Sequence, residues 1–277
     1  MRCKHPLGLF IAMDQEWKNR LSAAQDLKIP TAQILAPPES ERDVSLIKKM
    51  FSDADIDITV VFCGFEGESY ADIPTVKKSV GLVPTDKRKE RLAQAKKIAD
   101  FAQELGVSQT ALHMGFIPEP HESDYQAVVS VAKELAEHCQ SLGQDLLLET
   151  GQEKARILLQ FIEDVNMPNL AINFDPANMI MYGSGDPIKA LNHLGKYVKG
   201  VHCKDAKWAE RPGEEWGEEV PLGQGDVKFM EFFTSLLNAR YCGPLTIERE
   251  IVGEQQIRDI SRGVEYLVTL RQRVWKE

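Results

Sequence analysis

Eight short apolar runs are spaced along the 277-residue chain, each followed by a longer amphipathic stretch. They are Gly8 to Met13, Thr31 to Leu35, Ile58 to Cys63, Thr110 to Met114, Asp145 to Glu149, Leu170 to Phe174, Gly200 to His202 and Pro244 to Glu248. Short runs rich in β-branched residues fit strands buried on both faces, and parallel strands need helical crossovers between them. The stretch from Asp86 to Leu105 suits that role: Ile98, Phe101, Ala102 and Leu105 recur at helical spacing and Gly106 supplies the stop. The stretch from Asp124 to Leu142 ends in the same way at Gly143. No proline-rich linker or low-complexity segment divides the chain, so residues 1–277 are expected to form one α/β domain, a (β/α)8 TIM barrel. An open doubly wound sheet is the alternative topology.

Composition narrows the partners. A formal net charge of -9 argues against a nucleic-acid backbone, which is bound through lysine and arginine. No apolar run is long enough to span a bilayer. The apolar segment Leu7 to Met13 is cut by Asp14 too early for a signal peptide. The five cysteines, Cys3, Cys63, Cys139, Cys203 and Cys242, contain no C-x-x-C pair, so neither a disulfide framework nor a thiolate zinc site is expected, and a cytoplasmic location fits.

In a barrel of this kind, chemistry sits at the C-terminal ends of the strands. Five consecutive runs finish in an imidazole or a carboxylate: His113 near the end of the fourth, Glu149 at the end of the fifth, Asp175 just after the sixth, His202 at the end of the seventh and Glu248 at the end of the eighth. Three carboxylates gathered at low dielectric would repel and take up protons unless a cation joined them. Glu149, Asp175, His202 and Glu248 offer three oxygens and one nitrogen, a set suited to manganese, magnesium, cobalt or zinc, with manganese expected because carboxylate-rich sites favour harder ions. Plainer readings stand beside this one. Asp175 before Pro176 is a good cap for a helix, and His113 on an inner strand also fits a satisfied core position. Lys204 and Asp205 fit an ion pair at a loop as well as substrate contacts. Trp208 and Trp216 fit either a lid over a sugar ring or an oligomer contact, and Glu66 is expected at the pocket mouth. The stretch Gly223 to Asp226 is expected to be a tight turn capping a helix from Val227, and His5, His121, His138 and His193 are expected at the solvated surface.

Five motifs together resemble the xylose-isomerase-like barrel superfamily, which holds sugar isomerases, ketose 3-epimerases, inosose dehydratases and apurinic endonuclease relatives. They are Leu148-Glu149-Thr150, Asn173-Phe174-Asp175-Pro176-Ala177-Asn178, Val201-His202-Cys203-Lys204-Asp205, Pro221-Leu222-Gly223-Gln224-Gly225-Asp226 and Ile247-Glu248. The resemblance spans nearly the whole chain. It implies that Glu149, Asp175, His202 and Glu248 are ligands of one divalent metal, and that Glu149 and Glu248 also exchange a proton with the substrate as acid and base through a cis-enediolate. The implied substrate is a carbohydrate, and the implied assembly a dimer or tetramer.

Departures from the family pattern limit what carries over. The nuclease relatives need three zinc ions and further histidines. Asn178 and the histidine-free loop from Ala206 to Glu219 stand in their places. The epimerases carry a histidine where this chain has Asn178, and an arginine soon after the seventh strand, for which Lys204, Lys207 or Arg211 would substitute. Isomerase or epimerase is therefore the leading expectation. A dehydratase or lyase on a keto-sugar or keto-inositol is the nearest rival, and a catalytically silent barrel used as a binding module the third. Substrate contacts are expected from His113, Asn178, Lys204, Glu66, Arg211 and Trp208.

Overall fold

Every apolar run becomes a strand in the computed structural model, which describes residues 5–275. The barrel strands are β1 (Leu7–Ala12), β2 (Thr31–Leu35), β3 (Asp57–Phe62), β4 (Gln109–Leu112), β5 (Asp145–Glu149), β6 (Leu170–Phe174) and β7 (Val198–Cys203). Two short strands, β8 (Asp205–Lys207) and β9 (Glu218–Val220), precede the last barrel strand, β10 (Leu245–Ile247). The barrel closes in the order β1-β10-β7-β6-β5-β4-β3-β2, and all its pairings are parallel. β8 and β9 form a separate antiparallel pair inside the long seventh loop, a feature that its polar sequence does not announce.

The helices between the strands are α1 (Trp17–Asp26), α2 (Val44–Asp53), α3 (Ile73–Ser79), α4 (Arg88–Leu105) and α5 (Tyr125–Ser141), followed by α6 (Ala155–Val165), α7 (Pro176–Met181), α8 (Pro187–Leu194), α9 (Phe229–Asn238) and α10 (Glu254–Trp275). α4 ends where Gly106 turns left-handed at φ 85°. Without a Cβ, glycine adopts that conformation at no steric cost. In α6 one face carries Ile157, Leu158, Phe161, Ile162 and Val165, all buried against the barrel. Removing each such side chain from water contributes roughly 1.5–3 kcal/mol, which is why the apolar spacing dictates the side on which each helix docks. No helix among the described residues is long and apolar enough to cross a membrane.

Inside the barrel a separate apolar plug is formed by Val60, Phe62, Ala111, Leu147 and Ala171, with Phe10 and Leu35 against it. Because side chains alternate along a strand, inward-facing Leu147 predicts that Glu149 also faces inward, and Ala171 does the same for Asn173. The plug thus forms the floor beneath the strand ends.

Three expectations need correcting. His5 is not a solvated tail residue; it is 1% exposed and its ring lies 4.2 Å from that of Trp275. Cys63, Cys139 and Cys203 are free and buried, but Cys242 is disulfide-bonded, which sequence spacing alone does not reveal. The turn from Gly223 to Asp226 does not cap a helix from Val227: α9 begins at Phe229, and the turn is held instead by Asp205, whose carboxylate accepts the amides of Gly223, Gly225 and Val227.

Candidate metal centre

Glu149 ends β5, Asp175 follows β6, His202 lies in β7 and Glu248 follows β10. β7 and β10 are in register with His202 beside Thr246, and β5 and β6 with Glu149 beside Asn173, so the four strand ends converge at one height. Each residue offers a ligand atom, and these atoms all lie within 4.8 Å of one another. His202 Nδ1 is 2.8 Å from Glu149 Oε1, 3.1 Å from Glu248 Oε2 and 3.5 Å from Asp175 Oδ2. All four residues are buried.

The donors fit a divalent cation. His202 Nδ1 and Asp175 Oδ2 are buried yet make no properly directed hydrogen bond, although they face each other's neighbourhood. A buried polar atom left without a partner is costly, so two of them converging with two further carboxylates mark a place for a cation. The electrostatics agree. Burial pushes the Asp175 carboxyl up, against the pull of Lys204 and His202. Burial opposes a charge on His202, but Glu248 and Glu149 outweigh it and hold the imidazole well above its usual range. Asp175 Oδ1 accepts the amide of Asn178 as the cap of α7, one of the two roles its sequence suggested, and Oδ2 is left facing the cluster.

Other side chains hold this cluster in place. Lys204 is 1% exposed, and its Nζ donates to Asn178 Oδ1 at 3.1 Å, to Glu248 Oε2 at 3.4 Å and to Glu250 Oε1 at 2.5 Å. It does not pair with Asp205, which serves backbone amides instead. Asn178 Nδ2 donates to Glu149 Oε1 at 3.3 Å. His113 Nε2 lies 3.0 Å from the other oxygen, Oε2. Gln152 lies 3.4 Å from His113 Nδ1 and donates to Tyr182 Oη at 3.0 Å.

Above the cluster opens a cavity of about 390 Å³ whose walls include Phe10, Phe62, Tyr70, His113, Glu149 and Glu248. A second lobe of about 210 Å³ shares Tyr70, His113 and Glu250 with it, and adds Asn178, Tyr182 and Trp216. Four expected substrate contacts do not line these two lobes, and Lys204, enclosed among Asn178, Glu248 and Glu250, is one of them. Glu66 is exposed beside Lys87 and Arg91 on another part of the surface, and Glu68 takes the cavity wall in its stead. Arg211 is exposed and pairs with Glu214 and Glu215. Trp208 is 38% exposed, and Trp216 is the tryptophan that lines a lobe, its ring 4.5 Å from that of Tyr182. Gln33 and Gln152 escaped sequence reading. Each is one polar residue in an ordinary strand or loop, where only the three-dimensional neighbour reveals its use.

The model of the family described as "Xylose isomerase-like TIM barrel" matches residues 21–270. The chain belongs to that family. The crystal structure of a xylose isomerase domain protein from Planctomyces limnophilus is 47% identical, with a TM-score of 0.95 over 98% of this chain and 99% of that one. The uncharacterized protein YihM of Escherichia coli is 29% identical over 153 residues, 53% of this chain and 46% of that protein, so the match spans about half of that relative's length. Two structures at lower identity share the fold alone. An L-ribulose 3-epimerase is 16% identical with a TM-score of 0.73, covering 100% of this chain and 96% of that one. AsbF of Bacillus anthracis, named as the probable 3-DHS dehydratase of petrobactin synthesis, is 14% identical with a TM-score of 0.68, covering 95% and 99%.

Proposed function

We propose that the protein is a divalent-metal-dependent isomerase or epimerase that moves a proton between carbons of an uncharged ketose, keto-inositol or related polyol. The observation that carries this reading is a division of labour among the four acidic and imidazole groups. Glu149 and Glu248 have surface on the cavity, whereas Asp175 and His202 lie beneath and do not line it. Only the two glutamates therefore reach both a cation position and a bound molecule.

Glu149, Asp175, His202 and Glu248 would hold the ion, with manganese favoured by the oxygen-rich set. When bound, a divalent cation polarises a carbonyl oxygen and offsets the negative charge that develops as a neighbouring C–H is deprotonated. Glu149 and Glu248 supply the proton transfers, one removing a proton beside the carbonyl and the other returning it. Lys204 and His202 hold the Glu248 carboxyl well below its ordinary range in spite of its burial, which keeps it ionised. His113 steadies the oxygen of Glu149 that points away from His202.

The cavity favours a neutral substrate. Its arginines are already engaged: Arg20 binds both oxygens of Asp14, and Arg249 binds Glu219 and Asp259. A phosphate or carboxylate would have to break one of these pairs. Phe10, Leu35, Phe62 and Tyr70 offer apolar walls to the C–H face of a sugar.

Incubation with manganese and a panel of ketoses in D2O tests the reading. Deuterium should enter the carbon next to the carbonyl with the remaining mass conserved. Loss of one water from the product would instead make the enzyme a dehydratase using the same residues. No turnover of any neutral keto-sugar or keto-inositol by metal-loaded protein would speak for a binding module.

A further inference from the structure

Gln33 points into the barrel from β2 and is 1% exposed. Its Oε1 lies 2.8 Å from His202 Nε2, and its Nε2 donates to Asn173 Oδ1 at 3.2 Å. With the N–H end of this amide turned to Asn173, the carbonyl end faces the imidazole. The ring nitrogen opposite a carbonyl oxygen must carry the hydrogen. The imidazole is held in other directions too: the Phe10 and Phe62 rings each lie 5.3 Å from it. Those apolar contacts limit tilting but do not choose between the two nitrogens, and Gln33 does.

We propose that Gln33 is a positioning residue which keeps His202 Nε2 as a donor and thereby presents Nδ1, with its lone pair, to a divalent cation. The metal part of this inference rests on the reading of the centre given above. The geometry behind it is specific. Nδ1, not Nε2, is the nitrogen that faces Glu149, Glu248 and Asp175. Asn173 keeps its place beside Gln33 because residue 200 is glycine: a Cβ there would lie 2.2 Å from Asn173 Oδ1. A line of contacts thus runs from Gly200 through Asn173 and Gln33 to the ligand nitrogen. Groups that hold the far nitrogen of a ligating histidine fix its tautomer and ring angle, and their loss typically weakens metal binding by about 10–100-fold.

The test combines calorimetric titration of the full-length apoprotein with Zn2+ and nitrogen-15 NMR of the zinc-loaded, histidine-labelled protein, for wild type, Gln33→Leu and Gln33→Glu. Wild type should bind zinc through His202 Nδ1 with a hydrogen on Nε2. Gln33→Leu should bind roughly 10–100-fold more weakly, and Gln33→Glu, which keeps an acceptor at the same place, should stay near wild type. If Gln33→Leu does not fold, the wild-type spectrum and Gln33→Glu still decide. Zinc on Nε2, or a folded Gln33→Leu with wild-type affinity, overturns the proposal while leaving the metal centre intact. A wild-type protein that takes up no zinc overturns both, so the two failures are told apart.

Discussion

Gly225 sits so close to Asp205 that a Cβ at residue 225 would lie 2.2 Å from Asp205 Oδ1. This contact explains two of the sequence motifs at once. Asp205 closes the His202 strand end and accepts amides from Gly223, Gly225, Val227 and Ala206, so the glycine-rich turn is built around a carboxylate from β8 and not around a ligand. Asp205→Ala should leave several buried amides unpaired and cost about 2–4 kcal/mol. Gly225→Ala should also destabilise, because its neighbours there are the Asp205 carboxylate and the Ala206 carbonyl. Denaturant unfolding measures both losses, and hydrogen exchange at residues 223–227 should quicken in Asp205→Ala.

Lys204 makes a different prediction. Its ammonium is enclosed among Glu248, Glu250 and Asn178. Lys204→Met keeps the length of the side chain but strands buried negative charge, at a cost of about 3–5 kcal/mol. It also removes the largest influence that holds Glu248 ionised. The Glu248 pKa should rise, so activity in this variant should be lost at a higher pH than in wild type as the solution is acidified. A pH–rate profile with an unchanged acid limb would show that Lys204 does not act through Glu248.

Glu153 lies four residues beyond Glu149 and is buried. Burial pushes its pKa up to about 8. A raised carboxyl pKa means that the folded protein keeps a proton which the unfolded chain releases, so this group lowers stability as pH climbs from about 4.5, and the loss levels off above about 8. Glu153→Gln mimics the protonated form without the ability to ionise. It should therefore be more stable than wild type near pH 7, by on the order of 2–3 kcal/mol, with the gap closing toward pH 4.5. Melting curves across this pH range check the sign as well as the size.

The barrel was legible because apolar alternation carries through eight repeats, and β2, β5 and β6 begin and end where the residues place them. Glu149, Asp175, His202 and Glu248 were legible for a related reason: a charged group that ends a buried strand has nowhere to go but the cavity above the core. Side chains on irregular loops were not. Glu66 and Glu68 differ by two positions on one loop, and only the bonds that the Phe65 and Gly81 amides donate to Glu68 decide which of them faces inward. Trp208 and Trp216 were alike in sequence until the β8–β9 pair turned one toward Tyr182. Gln33 gave no signal, since its partner His202 lies 169 residues away.

Glu149→Gln and Glu248→Gln should each lower turnover by at least about 100-fold while the barrel stays folded, because amides keep the shape but cannot accept the proton. Circular dichroism confirms the fold, and the rate of deuterium incorporation from solvent reads the proton transfer directly. Retained exchange in both variants would remove the glutamates from the chemistry.

The most direct test of the account is a crystal soaked in manganese and measured at the manganese absorption edge, alongside metal analysis of the same protein. The expected result is one anomalous peak per chain, bonded to Glu149, Asp175, His202 Nδ1 and Glu248. A protein that binds no manganese, magnesium, cobalt or zinc, or one whose ion lies away from these four residues, contradicts it.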